Sequence, residues 1–425
     1  MEFKVLTLFP EFFSSPMSCG LMGKALQNGI FDLQLVNPRD FATDRHRSVD
    51  ERPYGGGPGM VMSVEPLARA LGSINSPGRI VLLSARGKRL DQPLARDLAR
   101  EESLTLVCGR YEGIDARFEE LFPAEPLAVG DFVLSGGESA ALCLMESVAR
   151  LLPGFMGQEE SACEESFSQG MLEYPHYTRP QHFAGLGVPE VLLSGDHQRI
   201  AAERKRWALE ATLKHRPDLV DCAPLDIDEL RYLRGLPRTR LGRGLYIGLI
   251  HYPVLNKLGE TVAVSLTNLD IHDIARVCRS YGLAGYFLAT PLEDQKQLAR
   301  RLLDHWKTGL GGLANANRME AVDLVEVATD VDEIVERIRS DCGQTPFVVG
   351  TSAREQGTMP PVQVARILRD KPVLLLFGTG HGLAPEMFPC LDGMLRPLRF
   401  LDRYNHLAVR SAVSVTVDRI LGDVW

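Results

Sequence analysis

No apolar run in the chain approaches the roughly 18 residues that cross a bilayer, so no membrane-spanning helix is expected. The opening MEFKVLTLFPEFF has no basic stretch and no small-residue cleavage site, and no secretory leader is read there. The eight cysteines lack paired C-x-x-C spacing, which excludes the common zinc and disulfide frameworks. They are expected as reduced thiols of a cytoplasmic protein, mostly in the core, and no metal-ligating set is assigned. Neither G-x-x-x-x-G-K-[ST] nor a properly flanked G-x-G-x-x-G occurs, so a nucleotide phosphate loop is not expected. Excess positive charge is also missing. With 47 Lys and Arg against 55 Asp and Glu, the net charge is −8. That excludes wholesale coating of nucleic acid but leaves room for a local basic surface.

What the chain does have is length and alternation. Its 425 residues, 45% hydrophobic and 24% charged, suffice for more than one core, and about three domains is the length prior. Strand-like runs at Phe3–Phe9, Phe31–Val36, Ile80–Ser84, Leu104–Cys108 and Phe132–Leu134 alternate with helical stretches at 17–28, 91–101 and 141–152. That order predicts an α/β fold with a mostly parallel sheet covered on both faces. Two of these runs end in glycine loops, Gly109-Arg110-Tyr111-Glu112-Gly113 and Ser135-Gly136-Gly137-Glu138. Ligands of open α/β sheets lie beyond the carboxyl ends of strands, although ordinary strand-to-helix turns would show the same local spacing. A polar segment with Arg39, Arg45, Arg47, Asp50 and Arg52 runs into Tyr54-Gly55-Gly56-Gly57-Pro58-Gly59. Its arginines suit phosphates and Asp50 suits a base edge; a solvated loop of self-paired charges is the plain alternative. Residues 196–216 read as a helix bearing Arg199, Arg204, Lys205 and Arg206, suited either to an RNA backbone or to a solvated bundle face.

Five stretches in order, DRHRSVDERPYGGGPGM, VCGRYEGID, VGDFVLSGGE, EYPHYTRP and VPEVLLSGDH, resemble the bacterial tRNA (guanine-N1)-methyltransferase family, TrmD, over about residues 1 to 235. The resemblance implies a SPOUT-type knotted α/β domain over 1–160, a flexible linker over 161–180 and a helical tRNA-binding domain over 181–235. It implies S-adenosylmethionine as donor, tRNA as partner, a homodimer and no membrane association; assistance by Mg2+ is implied only by the family. Carried over residue by residue, the donor site uses Ser84, Gly109, Tyr111, Val129, Gly130, Asp131, Phe132, Val133, Leu134, Gly136 and Gly137. Glu165, where the family has Asp before a Ser-Phe pair, becomes the general base, and Arg150 the group that stabilises developing charge. Arg47, Asp50, Glu112, His176 and Arg179 become substrate contacts, and the implied target is guanine 37, 3′ of the anticodon.

After the linker-like LPRTRLGRG, further strand-like runs appear: LYIGLIHY, TVAVSLT, GYFLAT, VDLVEVA, PFVVGTSA and PVLLLFG, with helices near 270–281, 294–305 and 331–340. VLLLFGTGHGLAPE and YNHLAVRSAV, with TNLDIHDIARVCRSYG before them, resemble SPOUT RNA methyltransferases. The resemblance makes 244–425 a second SPOUT domain whose donor site uses Phe377, Gly378, Thr379, Gly380, Asn405 and Leu407. Arg276 and Arg279 stand near the first of these motifs. This half either methylates another RNA or is a silent RNA-binding or dimerisation module.

Overall fold

A computed structural model describes the chain apart from residues 157–164, 238–239, 309–314, 355, 402–403 and 423–425. Its backbone contacts divide it into two compact units, Met1–Val188 and Pro189–Trp425.

In the first unit five strands form one sheet: β1 (Glu2–Leu6), β2 (Asp32–Val36), β3 (Arg79–Arg89), β4 (Ser103–Cys108) and β5 (Ala124–Ala128). Their order is β2-β1-β4-β3-β5 and every pairing is parallel. The alternation of side chains sorts the apolar residues onto two faces. Phe3, Val5, Val81, Leu83, Leu104 and Leu106 enter one core, and Leu6, Ile80, Leu82 and Val107 enter the other. Lys4 is the exception, a buried cation in the interior strand β1. Its Nζ donates to Asn75 O, Ser76 O and Ser103 Oγ, so its donors are satisfied at 2.7 to 3.2 Å.

The structure corrects one strand. Phe132, Val133 and Leu134 are loop residues, 57%, 86% and 41% exposed. The edge of β3 where such a strand would dock is taken by β5, upstream. β5 carries Pro126, which an edge strand tolerates because its outward N–H needs no partner. β3 in turn runs past Ser84 to Arg89 through an irregularity between Leu83 and Lys88.

After a short helix at Glu190–Leu193, the second unit carries the helix His197–His215 and the helix Ile227–Gly235, whose start is fixed by a capping box between Asp226 and Glu229. Lys205 contacts Glu229 and Asp226 at 3.0 and 3.1 Å, and Arg206 contacts Glu203 at 3.3 Å, so part of the basic helix face is neutralised within the unit. Six parallel strands follow: β6 (Leu245–Ile250), β7 (Gly285–Ala289), β8 (Val325–Ala328), β9 (Phe347–Gly350), β10 (Val373–Gly378) and β11 (Gly393–Met394), in the order β8-β7-β6-β10-β9-β11. The central strands β6 and β10 are apolar almost throughout because both faces are buried. TVAVSLT does not join this sheet: only Thr261–Val262 is extended, in a short antiparallel ladder with Val254–Leu255. Among the described residues, no helix is long and apolar enough to cross a membrane.

Candidate functional site

In the first unit the loop after β4 and the loop after β5 are sewn together. Gly137 N donates to Gly109 O at 2.9 Å, and Arg110 bridges to Gly136. Gly137 fits because the loops nearly touch: a Cβ there would lie 2.7 Å from Cys108 Cα. The two loops and the bend at Ser84–Arg86 in β3 enclose a cleft of about 480 Å3.

Beneath it sits a charge pair that the sequence reading missed. Glu138, the first residue of the helix Glu138–Ala149, is 1% exposed. Its Oε1 accepts from Thr7 Oγ1 at 2.8 Å, and its Oε2 lies 2.8 Å from Arg110 Nη2. The contact is ionic rather than an aligned hydrogen bond, since Arg110 Nε and Glu138 Oε2 have no well-oriented partner. The helix N-terminus favours the carboxylate, and the Arg110 guanidinium also lies 4.5 Å over the Phe9 ring. Burial, then the Glu138 charge, pushes the neighbouring Cys108 thiol well up, so it is no nucleophile. The only sequence signal was a charged residue beside each glycine turn.

Of the residues assigned to the donor site, Ser84, Gly109, Tyr111, Val129, Gly130, Phe132, Val133, Leu134, Gly136 and Gly137 line the cleft. Asp131 does not; it is exposed, 3.8 Å from Arg89. Its carboxylate points to solvent because the loop turns there. The lining suits a nucleoside: it mixes apolar side chains with backbone at the strand ends, and at Gly109 a Cβ would make only ordinary van der Waals contact, its nearest neighbour Leu83 O at 3.6 Å.

Arg150 caps the carboxyl end of the helix Glu138–Ala149 and meets Glu165 in a bidentate pair, Nη1–Oε2 at 2.5 Å and Nη2–Oε1 at 2.6 Å. The hydrogen bond to Glu165 raises the Arg150 pKa further above its ordinary value. Neither residue is among those lining the cleft.

Asp50 is half-buried in a two-residue ladder against Met62. That ladder is stitched to the cleft: Met62 N donates to Gly113 O, and Glu112 N to Met60 O, both at 2.9 Å. The Glu112 side chain lies against Gly59, where a Cβ would come 2.4 Å from Oε1. Asp50 and Glu112 thus sit on loops joined to the cleft. Arg47, with φ 49°, is 3.8 Å from Asp40. His176 is 3.7 Å from Glu173 and packs on Tyr174, and Arg179 precedes a cis Pro180. These last three do not line the cleft.

The second unit has a cleft of about 590 Å3 beyond the carboxyl ends of β6, β9 and β10, and Phe377, Gly378, Thr379, Gly380, Asn405 and Leu407 all line it. Thr379 Oγ1 donates to Ile250 O at 2.9 Å. Asn405 is not a helix cap: it donates to Ala353 O at 2.9 Å and accepts from Arg399 N, while Ala408 is the N-cap of the helix Val409–Leu421. Nor does Asn268 cap its helix; Thr267 does. The sequence reading missed Asp270, which is buried in this cleft, accepts from Thr267 Oγ1 and lies 3.4 Å from Arg410 Nη1. It also missed His251, on the cleft floor just past β6, whose pKa burial lowers to about 4. Arg276 and Arg279 do not line the cleft, and Arg279 pairs with Glu320. Among the described residues no three His, Cys, Asp or Glu side chains converge as a metal site.

Residues 1–222 match the family described as tRNA (guanine-1)-methyltransferase TrmD, and residues 244–422 the one described as SAM-dependent RNA methyltransferase. A protein named tRNA (guanine-N(1)-)-methyltransferase from Nitratidesulfovibrio vulgaris is 56% identical over 425 residues, covering 100% of both chains. A like-named protein from Oleidesulfovibrio alaskensis is 56% identical over 423 residues, again covering 100% of both. Another from Geobacter metallireducens is 49% identical over 236 residues, which is 55% of this chain and 96% of its own.

Proposed function

Since the chain belongs to the tRNA (guanine-1)-methyltransferase TrmD family, we propose that it transfers a methyl group from S-adenosylmethionine to N1 of guanine 37 in tRNA, 3′ of the anticodon. The observation that carries this reading is the bidentate Arg150–Glu165 pair. Guanine N1 bears a proton and becomes nucleophilic only as that proton leaves, while negative charge builds on O6. The pair presents an acceptor beside a donor. The guanine edge presents N1–H beside O6, the complementary order, so guanine can enter between the partners and replace their contacts to each other. Glu165 then takes the N1 proton and the Arg150 guanidinium faces O6. Adenine presents an acceptor at N1 beside an amino donor, the reverse order, and is refused.

S-adenosylmethionine when bound supplies an electrophilic methyl group on a sulfonium, which needs no nucleophilic side chain. The chain's part is to hold it: the strand-end backbone at Gly109 and Val129–Leu134 would read the adenine, with Ser84, Tyr111, Gly136 and Gly137 closing the cleft and Asp131 at its outer edge. Because Arg150 and Glu165 do not line the cleft of their own chain, we place them at the cleft of a second copy, which makes the enzyme a homodimer. Asp50 and Glu112, on loops stitched to the cleft, would hold the guanine pair, and Arg47, His176 and Arg179 the surrounding tRNA. The helical segment 181–235 would grip tRNA across a linker over 161–180. Both sheets would adopt the knotted SPOUT arrangement, and the enzyme would work in the cytoplasm, with Mg2+ as an assistant of the first reaction. The second unit would methylate another RNA with its own S-adenosylmethionine; a silent RNA-binding or dimerisation role is the alternative. Transfer of labelled methyl to transcribed tRNA tests the main reading. It should proceed with guanine at position 37 and stop with adenine there; transfer that ignores the base would overturn it.

A further inference from the structure

The second unit has a surface feature that the proposed donor site does not use. Its cleft adjoins two further depressions, of about 520 and 640 Å3. Leu398 lines all three, Arg396 joins the first to the donor cleft, and Asn405 joins the second to it. The composition of this continuous hollow is one-sided. Arg354, Arg396, Arg399 and Arg419 line it, and among the described residues its one acidic lining residue is Asp270. Asp270 is itself 3.4 Å from Arg410 and accepts from Thr267, so it does not offset the arginines. In a chain of net charge −8, the guanidinium groups of Arg354, Arg396 and Arg419 around one hollow mark a site for a polyanion. Two aromatic rings stand beside them. Tyr404 lines the hollow and is 76% exposed, and Phe400 is 48% exposed with the Arg396 guanidinium 4.4 Å over its ring. Exposed rings interleaved with cations suit bases that are free to stack, which a duplex does not offer.

We propose that this hollow takes a single-stranded segment of RNA, its phosphates on Arg354, Arg396 and Arg419, with one base stacked on Tyr404 and the next led into the cleft beside the Phe377–Gly380 loop. The surface rests on the reading of the second unit as an RNA methyltransferase and specifies it: the acceptor base is unpaired. A closed duplex could not thread a base past the Tyr404 side of the hollow.

The test uses the full chain and an unstructured oligoribonucleotide, with the same sequence in a duplex as control, followed by fluorescence anisotropy at several salt concentrations. The doubly substituted Arg396→Gln/Arg419→Gln chain should bind the single strand at least about tenfold more weakly, and the slope of log affinity on log salt should shrink by about 1.4. Tyr404→Ala, at a side chain too exposed to matter for folding, should weaken binding by about 5- to 150-fold and leave the slope alone. Tryptophan fluorescence and methylation of tRNA by the first unit should be unchanged in both. Unchanged single-strand affinity in both variants overturns the proposal. So does a shift in oligomeric state on size exclusion with affinity intact, which would make the face a protein contact. Methyl transfer to bulk RNA is measured separately in a Glu165→Gln background, which silences the first site. Residual transfer with unaltered binding in the variants removes the surface and keeps the methyltransferase reading. Lost binding in the variants with no residual transfer keeps the surface and removes that reading.

Discussion

Arg150 and Glu165 neutralise each other at rest, and this sets what their substitution should do. Glu165→Gln removes the proton acceptor but keeps a hydrogen-bonding group of the same size, so kcat should fall by about 10²- to 10⁴-fold with tRNA affinity little changed. Arg150→Lys keeps the charge but loses the fork, and labelled methyl transfer should not recover to the native rate. Glu138 is a different case. Glu138→Gln leaves Arg110 beside the cleft without its counter-ion and should cost about 3 kcal/mol in urea unfolding. His251 carries a pH prediction for the second unit. The unfolded chain holds the imidazole proton up to about pH 6.5, whereas burial lowers the folded value to about 4. Between those values the unfolded state binds more protons, so stability drops as pH falls through the window, by up to about 3 kcal/mol. Thermal unfolding at pH 7 and pH 4.5 should show a smaller difference for His251→Asn. At this scale a family motif singled out Glu165 and Arg150, and the structure pairs the two side chains. The sequence was silent where a residue matters through a partner far along the chain. Arg110 with Glu138, and Asp270 with Arg410, become visible only when the sheet brings their loops together.

The elements follow the same division. Strands buried on both faces announced themselves, as LTLVC and VLLLF show, because a parallel sheet covered by helices demands continuous apolar runs. β5 did not, because Pro126 breaks the strand pattern and only its edge position permits it. The three apolar residues Phe132–Leu134 misled for the opposite reason: they look like a buried strand but stand exposed on the cleft loop. Two glycines separate packing from ligand contact. In Gly137→Ala the new Cβ would press on Cys108 Cα and Gly109 N, at 2.7 and 3.0 Å, so stability and donor affinity should fall together, stability by about 1 to 3 kcal/mol. In Gly109→Ala the nearest atom is 3.6 Å away, so stability should hold while S-adenosylmethionine affinity drops. Calorimetric titration beside urea unfolding distinguishes the two.

For the whole molecule, the fusion was readable from length and repeated strand patterns, and the family matches over 1–222 and 244–422 bear out the two halves as family domains. The backbone contacts group the helical segment after Val188 with the second sheet, a grouping that no composition shift in the chain announced. If the Arg150–Glu165 pair of one copy serves the cleft of another, two defective chains should complement each other. Co-expressed Glu165→Gln and Gly137→Ala chains would form one intact site per mixed dimer, and activity should exceed both parents. Most directly, nucleoside mass spectrometry of transcribed tRNA after reaction tests the central chemistry. The account predicts 1-methylguanosine at position 37 from the native chain, and a yield at least about a hundredfold lower from Glu165→Gln at equal time. Native yield from Glu165→Gln, or a methyl group on any other guanine atom, would contradict it.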